Sequence, residues 1–243
     1  MPTDWQHFSQ APGHPPFVER FFARMPDGRF LGLPLRESGD LAVADFVAEQ
    51  AGFLVLDAMA EWLSRAIRPL RAELVVGLSG HGGILAAEVA RRLSHPNWLA
   101  ATDRPRPWFS DALSVSAPCG TRWWLDPGQA GQLRGRRAVL VHDVLAAPAG
   151  LAAGAALLAK AGAAAAIVAA AMAQGDGWVA TLPAALPVVA VFATPSFHLG
   201  RGGWVPDEGS AVWRVCPLFR HGTLMPGTAS AVLPSVRGAG STG

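Results

Sequence analysis

The sequence predicts an α/β domain in which a mainly parallel, twisted sheet carries helices on both faces, with an N-terminal β element in front of it. Three observations lead there. Apolar runs at 74–77, 138–142, 163–171 and 188–193 are continuous rather than alternating, the mark of strands buried on both faces. Helical stretches fall between these runs, which is the order of strand–helix–strand crossovers. Of the 243 residues 51% are apolar and only 16% charged, enough to fill a core and far from the composition of a disordered chain.

Residues 1–20 are polar and proline-rich, lack the charged-then-apolar order of a signal peptide, and read as a loose arm. Residues 235–243, rich in glycine and serine, read as a loose tail, which leaves 21–234 as one domain. Between 21 and 35 the pair Asp27-Gly28 is a turn signal joining two runs that can form a hairpin. From Asp40 the apolar positions Val43, Phe46, Val47, Phe53, Leu54, Leu56, Met59, Leu63 and Ile67 recur at roughly helical spacing and stop before Pro69, predicting one long helix. A strand at 74–77, a glycine-rich turn at 79–83 and a helix at 84–93 follow. The irregular stretch 96–135, with Trp98, Trp108, Phe109, Trp123 and Trp124, predicts a strand pair and a mobile loop. A second unit has a strand at 138–142, a turn at 143–150, a helix to 161 and a strand at 163–171, before a last strand at 188–193.

The run 151–173 is long and apolar enough for a membrane span. Lys160 sits in its middle and Gly162 follows, so it reads instead as a buried helix, a glycine turn and a buried strand, with no membrane role. The net charge of +2 comes from scattered arginines, with Lys160 the single lysine, so no basic stripe points to nucleic acid. Cys119 and Cys216 are too far apart in sequence to suggest a zinc site or a disulfide framework, which makes a reducing cytoplasm the expected location.

Ligands of such sheets bind at the carboxyl ends of the strands, where the loops after Gly77 and His142 should lie side by side. The first loop reads Gly77-Leu78-Ser79-Gly80-His81-Gly82-Gly83. Its glycines allow close backbone approach, and amides at a helix N-terminus favour an anion, so phosphate or pyrophosphate fits Ser79, Gly80, His81 and Gly82. A glycine-rich connector without a ligand is the bland alternative.

The second loop reads Val139-Leu140-Val141-His142-Asp143-Val144-Leu145-Ala146-Ala147-Pro148-Ala149-Gly150. This segment resembles the signature of type I phosphoribosyltransferases, in which four apolar residues, two adjacent acids and two or three small or apolar residues precede a threonine- and glycine-rich loop opening a helix. The resemblance extends from about 25 to 206. Residues 74–93 resemble the family's pyrophosphate loop and following helix, and 104–114 resemble its closing loop, with Arg106 where a basic residue is expected. Gln174-Gly175-Asp176-Gly177-Trp178 and Gly202-Gly203-Trp204-Val205-Pro206 are similar to segments of a bacterial subgroup related to adenine phosphoribosyltransferases.

That resemblance implies transfer of ribose 5-phosphate from phosphoribosyl pyrophosphate to a nucleobase, a purine above all, with Mg2+ as cofactor and a homodimer as assembly. It implies that Asp143 steadies the ribose and the metal, and that Arg106 and the 79–82 loop hold pyrophosphate. It assigns the 5-phosphate and ribose to His142, Ala146, Ala147, Ala149 and Gly150. Trp108, Phe109 or Trp178 could stack on the base, although core packing is the commoner fate. The pattern also departs from the family. His142 replaces the first acid, and Ala147, Pro148 and Gly150 stand where threonine, glycine and threonine are expected. Two hydroxyl donors and one amide are lost, each worth about 1.5–3 kcal/mol against a charged group.

Two other readings stay open. Without those donors the chain could be a non-catalytic relative that binds a nucleotide or a protein partner. Alternatively, Val76-Gly77-Leu78-Ser79-Gly80-His81 resembles the nucleophile elbow of an α/β-hydrolase, with Asp143 and then His198 or His221 in chain order, except that position 81 should be glycine. For Asp143 the bland alternative is a helix N-cap, and for Arg106 a solvated loop charge.

Overall fold

The computed structural model describes residues 5–80, 82–146, 148–180 and 182–219. In chain order it contains β1 (His7–Ser9), β2 (Arg20–Arg24), β3 (Phe30–Ser38), β4 (Leu41–Ala44), α1 (Phe53–Ile67), β5 (Leu74–Leu78), α2 (Gly83–Arg92) and β6 (Leu99–Thr102). After them come β7 (Ser114–Ser116), β8 (Arg122–Leu125), α3 (Pro127–Ala130), β9 (Arg137–Leu145), α4 (Pro148–Lys160), β10 (Ala165–Gln174), β11 (Val188–Thr194), β12 (Ser196–Gly200) and β13 (Gly203–Asp207).

The large sheet has the order β11-β10-β9-β5-β6-β8-β7. Its first five strands are parallel, and β8 and then β7 are added through antiparallel pairings. The continuous apolar strands are buried on both faces, as their composition demands. On β9, Val139 and Val141 join the core beneath α1 and α2, while Ala138 and Leu140 join the core beneath α4. Helix α1 buries Val55, Leu56, Met59, Ala60, Leu63 and Ile67 at three- and four-residue spacing. The apolar stretch 151–173 resolves into α4, a turn at Gly162 with φ of 87°, and β10. Among the described residues no helix is long and apolar enough to cross a membrane.

The smaller sheet runs β1-β3-β4-β12-β13, with β2 paired to β3, so the Asp27-Gly28 hairpin is present. Chain and hydrogen bonding seat it over the carboxyl ends of β10 and β11. Strand β11 passes into β12 through Pro195, and the Gln174 amide at the end of β10 donates to the Ala44 carbonyl at the end of β4.

Four expectations change. The helix expected from Asp40 begins at Phe53. Residues 41–44 instead form β4, in which Ala42 and Ala44 are buried and Leu41 is exposed. A short apolar run has no period long enough to separate strand from helix, and pairing with β3 decides it. The expected loose arm is partly tied down. β1 pairs with β3, and Phe17 exchanges two backbone hydrogen bonds with Trp204, at 2.8 and 2.6 Å. Trp5 is a further anchor, its carbonyl accepting from the Arg20 guanidinium and its ring lying under Arg36. Third, 96–135 holds the parallel strand β6 besides the β7–β8 pair. Fourth, β9 runs on to Leu145, so Asp143 lies in the strand and not in a turn. The expected tail at 235–243 lies outside the described residues.

Candidate functional site

At the carboxyl edge of the large sheet, β9 and β5 are neighbours and their loops touch. Gly82 has φ of 111°, a left-handed conformation that favours glycine. A Cβ placed on it would come within 2.7 Å of the Asp143 backbone nitrogen and 2.8 Å of the His142 carbonyl carbon. The backbone of the first loop is thus laid directly on the His142–Asp143 peptide. Two helices begin here, α2 at Gly83 and α4 at Pro148, and the first-turn amides of a helix have no acceptor within it. Both starts follow the neighbouring strands β5 and β9, and a helix start carries a partial positive charge.

The Asp143 side chain is buried, 8% exposed, and its Oδ1 accepts the Val144 N–H at 2.9 Å. His142 Nδ1 lies 2.9 Å from the same oxygen and 3.2 Å from the Val144 nitrogen. Because successive residues of a strand face opposite ways, Asp143 projects toward the side of Val141 and His142 toward that of Leu140, and the histidine ring curls back at the edge to meet the carboxylate. Asp143 does not cap α4, since it precedes the helix by five residues.

Ser79 follows β5, with its N–H on the Ala101 carbonyl of β6 at 2.9 Å, and Gly80 has φ of 77°. Ala146 is half-buried between β9 and α4. Pro148, Ala149 and Gly150 form the first turn of α4, where proline removes one of the amides available to an anion. His81 and Ala147 lie outside the described residues. A nucleophile elbow puts its serine on the tight turn between strand and helix. Here α2 begins four residues after Ser79, so the hydrolase reading loses its geometry.

Arg106 lies in the exposed segment that leaves the carboxyl end of β6, on the opposite side of β5 from Asp143. Its guanidinium sits 5.5 Å from the centre of the Trp108 ring, and Trp108 is 59% exposed. The far end of this segment is tied by Lys160 Nζ to the Ser114 carbonyl at 2.9 Å and by Arg122 to Asp111 at 2.9 Å. Trp178 is a core residue, buried with its Nε1 donating to the Gly175 carbonyl at 3.0 Å.

Sequence reading missed a cavity of about 280 Å³ at the carboxyl end of β11, walled by Phe17, Phe21, Phe22, Phe30 and Trp213 and carrying Arg24 and Glu208. Burial, with Asp207 beside it, pushes the Glu208 carboxyl above the usual range. The signal was the density of phenylalanine between 17 and 30, which spacing alone assigns to strand packing. Thr194, at the end of β11, is fully buried with no hydrogen-bond partner for Oγ1 among the described residues.

No family model matches this chain, and no curated protein sequence matches it. Among solved structures it is similar to adenine phosphoribosyltransferase from Rhodothermus marinus, at 20% identity and a TM-score of 0.48, over 58% of this chain and 81% of that one. It is similar to adenine phosphoribosyltransferase from Thermoanaerobacter pseudethanolicus at 16% identity and a TM-score of 0.47, again over 58% and 81%. It is similar to a purine phosphoribosyltransferase from Pyrococcus horikoshii at 18% identity and a TM-score of 0.42, over 59% and 85%.

Proposed function

We propose that the chain is a divergent type I phosphoribosyltransferase, moving ribose 5-phosphate from phosphoribosyl pyrophosphate to a purine-like base. The observation that carries this reading is the contact of Gly82 with the His142–Asp143 peptide, which sets two anion-favouring helix starts beside one buried carboxylate. Such an arrangement suits a sugar with a phosphate at each end. The 5-phosphate goes to the start of α4, through Ala146, Ala147, Ala149 and Gly150. The ribose goes to Asp143 and His142, and the pyrophosphate to Ser79, Gly80, His81 and Gly82, with Arg106 closing from β6.

In the reaction the bond from the anomeric carbon to pyrophosphate breaks with its electron pair leaving on pyrophosphate. A ring nitrogen of the base bonds to that carbon and releases its proton. The protein's part is to hold both reactants in line and to neutralise the departing charge. Asp143 stabilises the positive charge that develops on the ribose ring. The base enters from the small-sheet side, where the aromatic cavity at β11 lies two strands, roughly 10 Å, from β9.

Mg2+ fits this site only in company with substrate. The described residues hold no group of three or more His, Cys, Asp or Glu side chains suited to a metal, and Asp143 is the carboxylate near the end of β9. Magnesium is commonly held by one carboxylate plus substrate phosphates, and when bound it supplies charge neutralisation on pyrophosphate. A nucleotide assay with phosphoribosyl pyrophosphate, Mg2+ and a panel of bases tests the reading, with Asp143→Asn expected to lower turnover on the order of a hundredfold. Full turnover in that variant overturns the role given to Asp143. The substitutions Ala147, Pro148 and Gly150 favour the second reading, a non-catalytic relative that binds a nucleotide.

A further inference from the structure

Residues 103–113 form a strap from the carboxyl end of β6 to the start of β7, and its two ends are built differently. Over 103–108 every residue is exposed, Arg106 and Trp108 among them. The hydrogen bonds here are local, with Thr102 Oγ1 accepting the Arg104 N–H at 3.1 Å and the Arg106 carbonyl accepting the Phe109 N–H at 2.9 Å. At 110–114 the strap closes on itself and on two cations. Ser110 accepts the Ala112 N–H through Oγ and the Leu113 N–H through its carbonyl. Arg122 of β8 reaches Asp111 Oδ1 and Ser114 Oγ, each at 2.9 Å. Lys160 Nζ donates to the Ser114 carbonyl at 2.9 Å and lies 3.4 Å from the Asp111 carbonyl. Arg122 thus holds the side chains of these two residues, and Lys160 holds their backbone, which fixes the path of the chain.

Lys160 is the last residue of α4 and the single lysine of the chain. A lysine in a last helical turn ordinarily serves that helix's own carbonyls. Lys160 instead reaches a residue 46 positions earlier, at the start of β7, the edge strand of the large sheet. Helix α4 packs on β9 and β10 and also on β7 and β8, so one rigid element joins the end of β9 to the far end of the strap. The start of that helix is where the transferase reading puts the 5-phosphate. We propose that Lys160 is a positioning residue, pinning the far end of the strap to α4 so that only 103–109 moves when Arg106 closes on pyrophosphate. It acts through Arg106 rather than on the reacting atoms. With 110–114 already held, closure orders few residues and loses little conformational entropy. The role rests on the transferase reading, whereas the clasp itself does not.

Hydrogen exchange read by mass spectrometry on the full chain, wild type beside Lys160→Met, tests the clasp. In the wild type the amides at 110–114 should exchange more slowly than those at 103–108. Lys160→Met should speed exchange at 110–114 at least about tenfold, the scale of one hydrogen bond from a charged group, with α4 and β8 unchanged. Unchanged exchange at 110–114 would overturn the clasp. Calorimetry with phosphoribosyl pyrophosphate and Mg2+ tests the role. Lys160→Met should weaken binding severalfold, and K160M/R106A should bind as R106A does, because a residue that acts through Arg106 adds nothing once Arg106 is gone. Losses that add in the double variant would overturn the positioning role while leaving the transferase reading in place. A wild type that binds no phosphoribosyl pyrophosphate would overturn that reading and the role with it, and the exchange result would still decide the clasp.

Discussion

The two loops at the carboxyl edge both lead into a helix start, yet they are built by different means. The loop after β5 works through its backbone, with glycines at left-handed φ and Gly82 lying on the Asp143 peptide. The loop after β9 carries no hydroxyl side chain from 146 to 150 and leads into α4, which begins with proline. The first loop offers backbone groups, and the second offers fewer of these and no hydroxyl. The first loop should therefore be intolerant of any side chain, and the second should be open to improvement.

The largest expected effect follows from Gly82→Ala. Its Cβ would collide with backbone atoms, and its φ of 111° is strained for alanine, so a loss of roughly 3 kcal/mol is expected in chemical denaturation together with lost ligand binding. The matching change in the second loop, Gly150→Ala, places its Cβ in open space and should leave stability unchanged or raise it by about 0.5–1 kcal/mol. A comparable loss at both glycines would remove the contrast. Restoring hydroxyls with Ala147→Thr and Gly150→Thr should tighten phosphoribosyl pyrophosphate about tenfold or more in calorimetry. Unchanged affinity would mean that the second loop does not hold the 5-phosphate.

A smaller effect is expected from Arg106→Ala, about tenfold in affinity for the same ligand and nothing in stability, because the side chain is exposed. The smallest lies away from both loops. Burial pushes the His95 imidazole below its ordinary value, partly offset by a backbone hydrogen bond to Ala72. The unfolded chain then takes up a proton near pH 6.5 while the folded chain does not, so stability falls as pH drops below about 6.5 and levels off under the lowered folded value. Denaturation curves at neutral and mildly acidic pH should show this slope, and His95→Gln should flatten it.

The parallel sheet was legible because strands buried on both faces have only one way to be written, as at 138–142 and 188–193. Strand β4 was not, since Leu41-Ala42-Val43-Ala44 is too short to show a period and is fixed by its pairing with β3. The side-by-side placement of the loops after Gly77 and His142 follows from strand order and was legible. The contact that joins them was not, because a glycine in sequence does not say which backbone presses on it. The aromatic cavity at β11 draws on segments 200 residues apart, from Gly13 to Trp213, and no local pattern foretells such an assembly.

The most direct test of the two-loop site is calorimetric titration of the protein with phosphoribosyl pyrophosphate and Mg2+, beside the same titration of Gly82→Ala. The account predicts micromolar binding to the wild type, dependent on Mg2+, and none to a folded Gly82→Ala variant. Absence of binding to the wild type at millimolar ligand would contradict it.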